Sequence, residues 1–262
     1  MSQKMLKSLH EFITAEKPSE EVLLAKIKEL AYQNTPADRT ITTRYSAMKK
    51  HVRELHPQYS DDFVRKIAPP RELTMSVISK NQEARNQKKL VEFGKLEVDK
   101  LLSWRDSDNP FQRMAFLQFV SGRRVNEIFD NEVGPLPRKN SRAVKMKLSK
   151  KNGDDKGRLF TFELISDAGI TNKEFKAELK ATRKALTGVD LSAYTQRLNR
   201  VLKRDLRNDI SSHDLRSMYA KYRFYHENEE KQVETGFISR ILNHGEGSDS
   251  GIAYSNFTYK EA

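Results

Sequence analysis

Four short stretches of this sequence carry residue types that could do phosphate chemistry, and they come in a definite order. Ser121-Gly122-Arg123-Arg124-Val125-Asn126-Glu127-Ile128 places paired arginines and a glutamate at a helix–turn–helix junction. A lysine-loaded turn, with Lys150, Lys151 and Lys156 around Asn152-Gly153, lies between two alternating segments. Ser212-His213-Asp214-Leu215-Arg216 sets a His-x-x-Arg on the first turn of a helix. Ile241-Leu242-Asn243-His244 is followed, ten residues after the histidine, by Tyr254. Breaking a phosphodiester without a metal needs a nucleophile, neutralisation of a pentacoordinate phosphate, and a proton for the leaving oxygen. Arginines offer forked donors that match non-bridging phosphate oxygens. A tyrosine hydroxyl, with an ordinary pKa near 10, becomes a nucleophile at neutral pH only beside positive charge and a base. A flexible lysine can act as general acid, and histidines can donate to the phosphate or manage the tyrosine proton. No carboxylate cluster of the two-metal nuclease kind is evident.

Each stretch alone has an ordinary use: a capped helix, a helix stop with a salt-bridging arginine, a solvated hairpin tip, a packed tyrosine. Their order, spacing and element types together resemble the catalytic domain of the tyrosine recombinase (integrase) superfamily, whose chemistry the type IB topoisomerases share. The resemblance covers about residues 93–259. It implies that Arg124 is the first catalytic arginine with Glu127 as its support, that His213 and Arg216 are the second box, that Leu242-Asn243-His244 stands for the family's Leu-Gly-His, and that Tyr254 is the nucleophile. It implies a hairpin lysine as general acid, Lys151 first, then Lys150, with Lys156 third. Arg123 is left to contact a backbone phosphate or form a salt bridge. The departures are Asn243 in place of glycine, which a left-handed turn tolerates, and a histidine-to-tyrosine gap of ten rather than nine. Tyr259, at fifteen, is the alternative nucleophile. The segment between Arg216 and His244 is longer than usual and carries Glu227, Glu229 and Glu230. Only eight residues follow Tyr254, so either the chain is truncated or the family's C-terminal exchange between protomers is made differently.

The elements that must position these residues follow from periodicity. Helices are expected over 3–15, over 19–32 with Val22, Leu23, Ile27, Leu30 and Ala31 inward, over 40–55 with Ile41, Tyr45, Met48 and Val52 inward, and over 61–67. Ala68-Pro69-Pro70 breaks the pattern, and 71–92 reads as a linker, either a connecting helix or a strap. Helices resume over 96–104, 111–120, 172–186, 195–207, from a Ser211/Asp214 capping box to about Tyr225, and over 235–242. Residues 143–148 and 159–164 alternate as a β-hairpin. The fold class is therefore mainly α with a small β-hairpin. It comprises a helical N-terminal domain (1–70), similar to the family's core-binding domain, and a tyrosine-recombinase catalytic domain (93–262).

Composition sets the partners. The chain has 262 residues, 48 Lys/Arg against 36 Asp/Glu, a net charge of +12, and no cysteine. That excludes a disulfide scaffold, a thiolate-zinc module and a cysteine nucleophile. The absence of a long apolar run argues against a membrane span or signal peptide. Positive charge is spread through folded segments, +4 over 1–80 and +8 over 81–262, with its densest run from Arg138 to Arg158. This suits a polyanion. The expected DNA-facing side chains are Arg44, Lys49, Lys50 and Arg53 on one helix, and Arg197, Arg200, Lys203 and Arg204 on the helix best placed for major-groove reading. The resemblance implies a site-specific recombinase forming a 3′-phosphotyrosine on duplex DNA, with no cofactor or metal, acting as a dimer or tetramer. An intracellular, DNA-associated protein is expected, in a bacterial or phage-host cytoplasm before a viral setting. A topoisomerase or a hairpin telomere resolvase shares the chemistry, and Arg216-Ser-Met-Tyr-Ala220 has some flavour of the latter. A non-catalytic architectural DNA-binding protein is the alternative of another class.

Overall fold

The computed structural model describes residues 3–86, 90–138, 140–147, 158–243, 254 and 256–261. The chain divides into two compact units, Met1–Lys88 and Lys89–Ala262.

The first unit is helical: α1 (Gln3–Glu16), α2 (Glu20–Tyr32), α3 (Asp38–Leu55), α4 (Asp61–Lys66) and α5 (Arg71–Asn86). Ser19 starts α2 by accepting from the Val22 amide at 3.4 Å, and Ser60 starts α4 by accepting from Phe63 at 3.1 Å. Leu9 and Ile13 of α1, Leu23 and Ile27 of α2, and Ile41, Tyr45, Met48 and Val52 of α3 meet in one core with Phe63 and Val64. Burying each such aliphatic side chain contributes roughly 1.5–3 kcal/mol. Val22, expected inward, is half exposed. The stripe that α2 buries runs through Leu23, Ile27, Leu30 and Ala31, and Val22 sits a helical step of about 100° outside it. Of the stretch read as a linker, residues 71–86 form α5. Leu73 lies on the core, and Ser76 and Lys80 both donate to the Asp38 carboxylate, at 2.9 and 2.8 Å.

The second unit is built around α7 (Pro110–Ser121). It is preceded by β1 (Val91–Gly94) and α6 (Lys95–Ser103), and followed by α8 (Val125–Asp130), the antiparallel pair β2 (Ala143–Lys147) and β3 (Leu159–Glu163), α9 (Asn172–Ala185), α10 (Leu191–Asp205), α11 (Asp214–Glu227), α12 (Glu234–Leu242) and β4 (Phe257–Lys260). Asn109 caps α7, Pro110 occupies its first turn, and every residue from Met114 to Ser121 is buried. Such a helix, apolar all round, is a core helix. It packs against α6, α8, α9, α10 and α11. The hairpin register runs Ala143↔Glu163 to Lys147↔Leu159, which turns Val144, Met146 and Phe162 into the core. β1 pairs in parallel with β4, Val91↔Phe257 through Gly94↔Lys260. That pairing was not expected, since four-residue strands far apart in sequence carry little periodic signal. α10 begins at Leu191 rather than 195, because Asp190 caps it by accepting from the Ala193 amide at 2.9 Å. No helix among the described residues is long and apolar enough to cross a membrane.

Candidate active site

The first motif is shaped by Gly122. It ends α7 at φ +62, and a Cβ there would stand 2.1 Å from Tyr219 Cδ1, so both the backbone and the neighbouring ring require glycine. The chain reverses, and Arg124 becomes the residue before α8. Its amide donates to Glu127 Oε2 at 2.9 Å and its guanidinium to Oε1 at 3.1 Å. Glu127 is fully buried. Burial pushes its carboxyl up, but the Arg123 charge and the Arg124 amide outweigh this and hold it below the ordinary range. Arg183 of α9 fixes the other end of α8, donating to the carbonyls of Glu127, Ile128 and Asn131 at 3.1, 2.6 and 2.9 Å.

Arg123 points the other way, into the protein. It is 1% exposed, as Arg216 is. Its guanidinium lies over the rings of Phe162 and Phe160, at 4.6 and 5.2 Å, and donates to the Ser121 and Ile241 carbonyls. Burial, then the Arg216 charge, lowers its pKa to about 9. The hairpin is thus docked on the first motif through Arg123, and again by Ile165 donating to the Val120 carbonyl at 3.1 Å. The hairpin lysines Lys150, Lys151 and Lys156 lie outside the described residues.

The third motif hangs from two helices. Gln118 of α7 donates to the Ser212 carbonyl at 2.6 Å, and the Ser212 amide donates to Asn199 of α10 at 2.8 Å. The expected capping box is only half formed. Asp214 accepts from the Ser211 amide and hydroxyl, at 2.8 and 2.6 Å, while the residue preceding α11 is His213. His213 is exposed on that first turn. Arg216, one turn on, is 1% exposed and joins three of the four motifs. Its Nη1 donates to the Gly122 carbonyl at 2.5 Å, its Nη2 to the Leu242 carbonyl at 2.8 Å, and its Nε to the Tyr254 hydroxyl at 3.2 Å.

The fourth motif starts where α12 stops. Asn243 adopts φ +53 and ψ +53, the left-handed turn that glycine would otherwise supply. His244 lies outside the described residues. Tyr254 is 5% exposed against Arg216, whereas Tyr259 is a strand residue of β4. The Tyr259 ring sits among Phe93, Tyr222, Tyr225 and His226, with centroids 5.0–5.7 Å away. Burial, then the Glu261 charge, raises its hydroxyl pKa. Glu227, read as part of an acidic insertion, is a structural node at the end of α11. It accepts from the Ser166 amide and hydroxyl, Arg142 and Arg223.

On α10, Arg197, Arg200, Lys203 and Arg204 are exposed, and Arg204 also grips Asp205 at 2.5 and 2.7 Å. On α3, Arg53 is exposed and Lys50 sits 3.7 Å from Glu54. Lys49 donates to the Arg65 carbonyl at 3.1 Å. Arg44 is committed to the end of α2, donating to the Ala31 and Gln33 carbonyls at 3.0 and 2.8 Å. Sequence reasoning missed Gln118, Arg183 and Tyr219 as positioning residues. Only Gln118, a polar side chain in an otherwise apolar helix, offered a signal.

No protein-family model matches the chain, and no curated protein matches it. Solved structures do. A single-residue variant of protelomerase TelA, covalently complexed with substrate DNA, aligns over 100% of this chain and 90% of that one, with TM-score 0.77 and 16% identity. A TelA variant complexed with DNA hairpin product aligns over 99% and 89%, with TM-score 0.77 and 15% identity. Protelomerase TelK complexed with substrate DNA aligns over 98% of this chain and 59% of that one, with TM-score 0.55 and 13% identity. The chain therefore shares the fold of these protelomerase structures, mainly α as its periodicity implied.

Proposed function

We propose that this protein breaks and rejoins duplex DNA through a 3′-phosphotyrosine on Tyr254. The observation that carries the reading is the Arg216 guanidinium, which contacts the Tyr254 hydroxyl at 3.2 Å while bonded to the Gly122 and Leu242 carbonyls. A nucleophile and a phosphate-binding group are thereby held on one rigid frame. Tyr254 Oη gives up its proton, which His213 or His244 can take, and attacks the scissile phosphorus. The P–O5′ bond breaks, and the 5′ oxygen leaves as a hydroxyl after taking a proton from the general acid. Arg124, Arg216 and His213 neutralise the non-bridging oxygens. Lys151, or else Lys150 or Lys156, supplies the proton, and His244 assists at the phosphate. Attack by a 5′-hydroxyl reverses the step. The bond energy is kept in the phosphotyrosine, so rejoining needs no nucleotide cofactor. Arg216 and Tyr254 are both buried, so DNA binding must open a path to them. The exposed cations of α10 serve the flanking duplex.

For the outcome of rejoining, we favour joining each strand to its complement, as a hairpin telomere resolvase does, over the strand exchange between duplexes that the sequence suggested first. Support comes from the likeness to TelA over nearly the whole of both chains. The test starts by selecting bound duplexes from a library of inverted-repeat DNA. A nicked version of the selected site should then yield an adduct stable to SDS. Tyr254→Phe should abolish it and Tyr259→Phe should retain it. Snap-back products in a denaturing gel mark hairpin ends, and recombinant junctions mark strand exchange. No adduct on any selected DNA would leave the architectural reading in its place.

A further inference from the structure

We propose that His10, His51 and His56 form a binding site for one zinc-class divalent ion within the N-terminal unit. One ring nitrogen from each histidine lies within 4.8 Å of the others. His10 Nδ1 and His56 Nε2, hydrogen-bonded to each other here, are 3.2 Å apart. A tetrahedral zinc with nitrogens at about 2.0–2.1 Å places its ligands about 3.4 Å from one another. One nitrogen pair is therefore close to the length of a coordination edge, and the others lie within 4.8 Å. The ring centroids are 5.0, 5.7 and 5.7 Å apart, so no backbone movement is called for.

A second observation points to a ligand. His51 Nε2 is buried and has no hydrogen-bond partner, a costly state that coordination relieves. Three imidazoles without a thiolate suit zinc, copper or nickel over calcium or magnesium. His10 is exposed and leaves the fourth position to water. The three side chains come from α1, from the last turns of α3, and from the residue that closes α3. A bound ion would clip α1 to the end of α3 and stiffen a small helical unit whose core is limited. This site is in a different compact unit from Tyr254, and the proposal does not depend on the strand-cleavage reading.

The test uses the full chain, free of any affinity tag, stripped with chelator and dialysed. Zinc is titrated by calorimetry, and cobalt is followed by its visible d–d absorption. One tight equivalent is expected, with tetrahedral cobalt bands and a zinc-dependent rise in the Tm of the N-terminal unit. His10→Ala removes an exposed side chain and should leave the fold intact. It should weaken binding by more than the roughly 10–100-fold that loss of an outer hydrogen-bond partner costs. His51→Ala should do the same, and His226→Ala should change nothing. Absence of a tight equivalent overturns the proposal. So does an equivalent that survives both His10→Ala and His51→Ala but disappears with His213→Ala.

Discussion

Replacing Arg216 by lysine keeps the charge and removes the geometry. The arginine spans two carbonyls and a hydroxyl with three separate nitrogens. A lysine ammonium is one point with three donors and cannot reach Gly122, Leu242 and Tyr254 together. At least two of these buried partners lose their donor. Leaving a buried polar group unsatisfied costs about 1–3 kcal/mol, so two give about 2–6 kcal/mol. For a unit the size of Lys89–Ala262, each kcal/mol shifts Tm by about 2–4 °C, so a fall of at least about 4 °C is expected. Adduct formation on a nicked site should fall further than stability accounts for, because on the proposed mechanism a phosphate-binding group and a hydrogen-bond partner of the tyrosine are lost together. The assay pairs a thermal melt with quantified SDS-stable adduct well below the variant's Tm. An Arg216→Lys protein that melts with the wild type and forms adduct at the wild-type rate would refute the three-way tie.

Other perturbations address the frame around this arginine. Gly122→Ala must carry a side chain at φ +62 and displace the Tyr219 ring. The left-handed backbone costs about 1–2 kcal/mol and overpacking about 1–3, so a loss of about 2–5 kcal/mol is expected in denaturant unfolding. Tyr259→Phe removes a hydroxyl from an aromatic cluster and should leave adduct formation at the wild-type level. Arg183→Ala deprives three carbonyls near the end of α8 of their donor and should lower both stability and cleavage, since α8 carries Glu127 and follows Arg124. The Glu127 carboxyl is held below its ordinary 4.5, so the folded state binds fewer protons there than the unfolded one. Its contribution is complete above about pH 4.5 and drains as pH falls through the folded value. Glu127→Gln should flatten that acid limb in a Tm–pH profile.

Periodicity carried most of this fold. The inward stripe of α3 is the predicted one, residue for residue, because α3 has one buried face and one charged face. The hairpin was legible from alternation, and Asn243 was legible as a left-handed stop. What escaped was non-local or made of backbone. The β1–β4 ladder joins residues far apart in the sequence of the second unit, 91–94 with 257–260. The acceptors that organise Arg216 are main-chain carbonyls, which no residue type announces. Arg44 and Arg123 show the same limit from the other side: composition counts a cation without saying whether it faces solvent, ends a helix or lies under two phenylalanines.

The charge at the candidate site supplies the last step. An arginine has five N–H donors. Arg216 uses three on described partners, one from each nitrogen. Both terminal nitrogens carry a second N–H, the kind of donor that a phosphate oxygen accepts. Arg123, Arg124 and Arg216 surround a single buried carboxylate, Glu127, which feels all three charges. The cost of that imbalance is visible in Arg123, lowered to about 9 by its burial and by Arg216, with Nη1 buried and unbonded. A fold selected for stability alone would replace such a cation with an apolar side chain. An anion brought to Arg216 would offset the surplus, so the arrangement is more stable occupied than empty. That is consistent with the anion-binding role proposed above for Arg216.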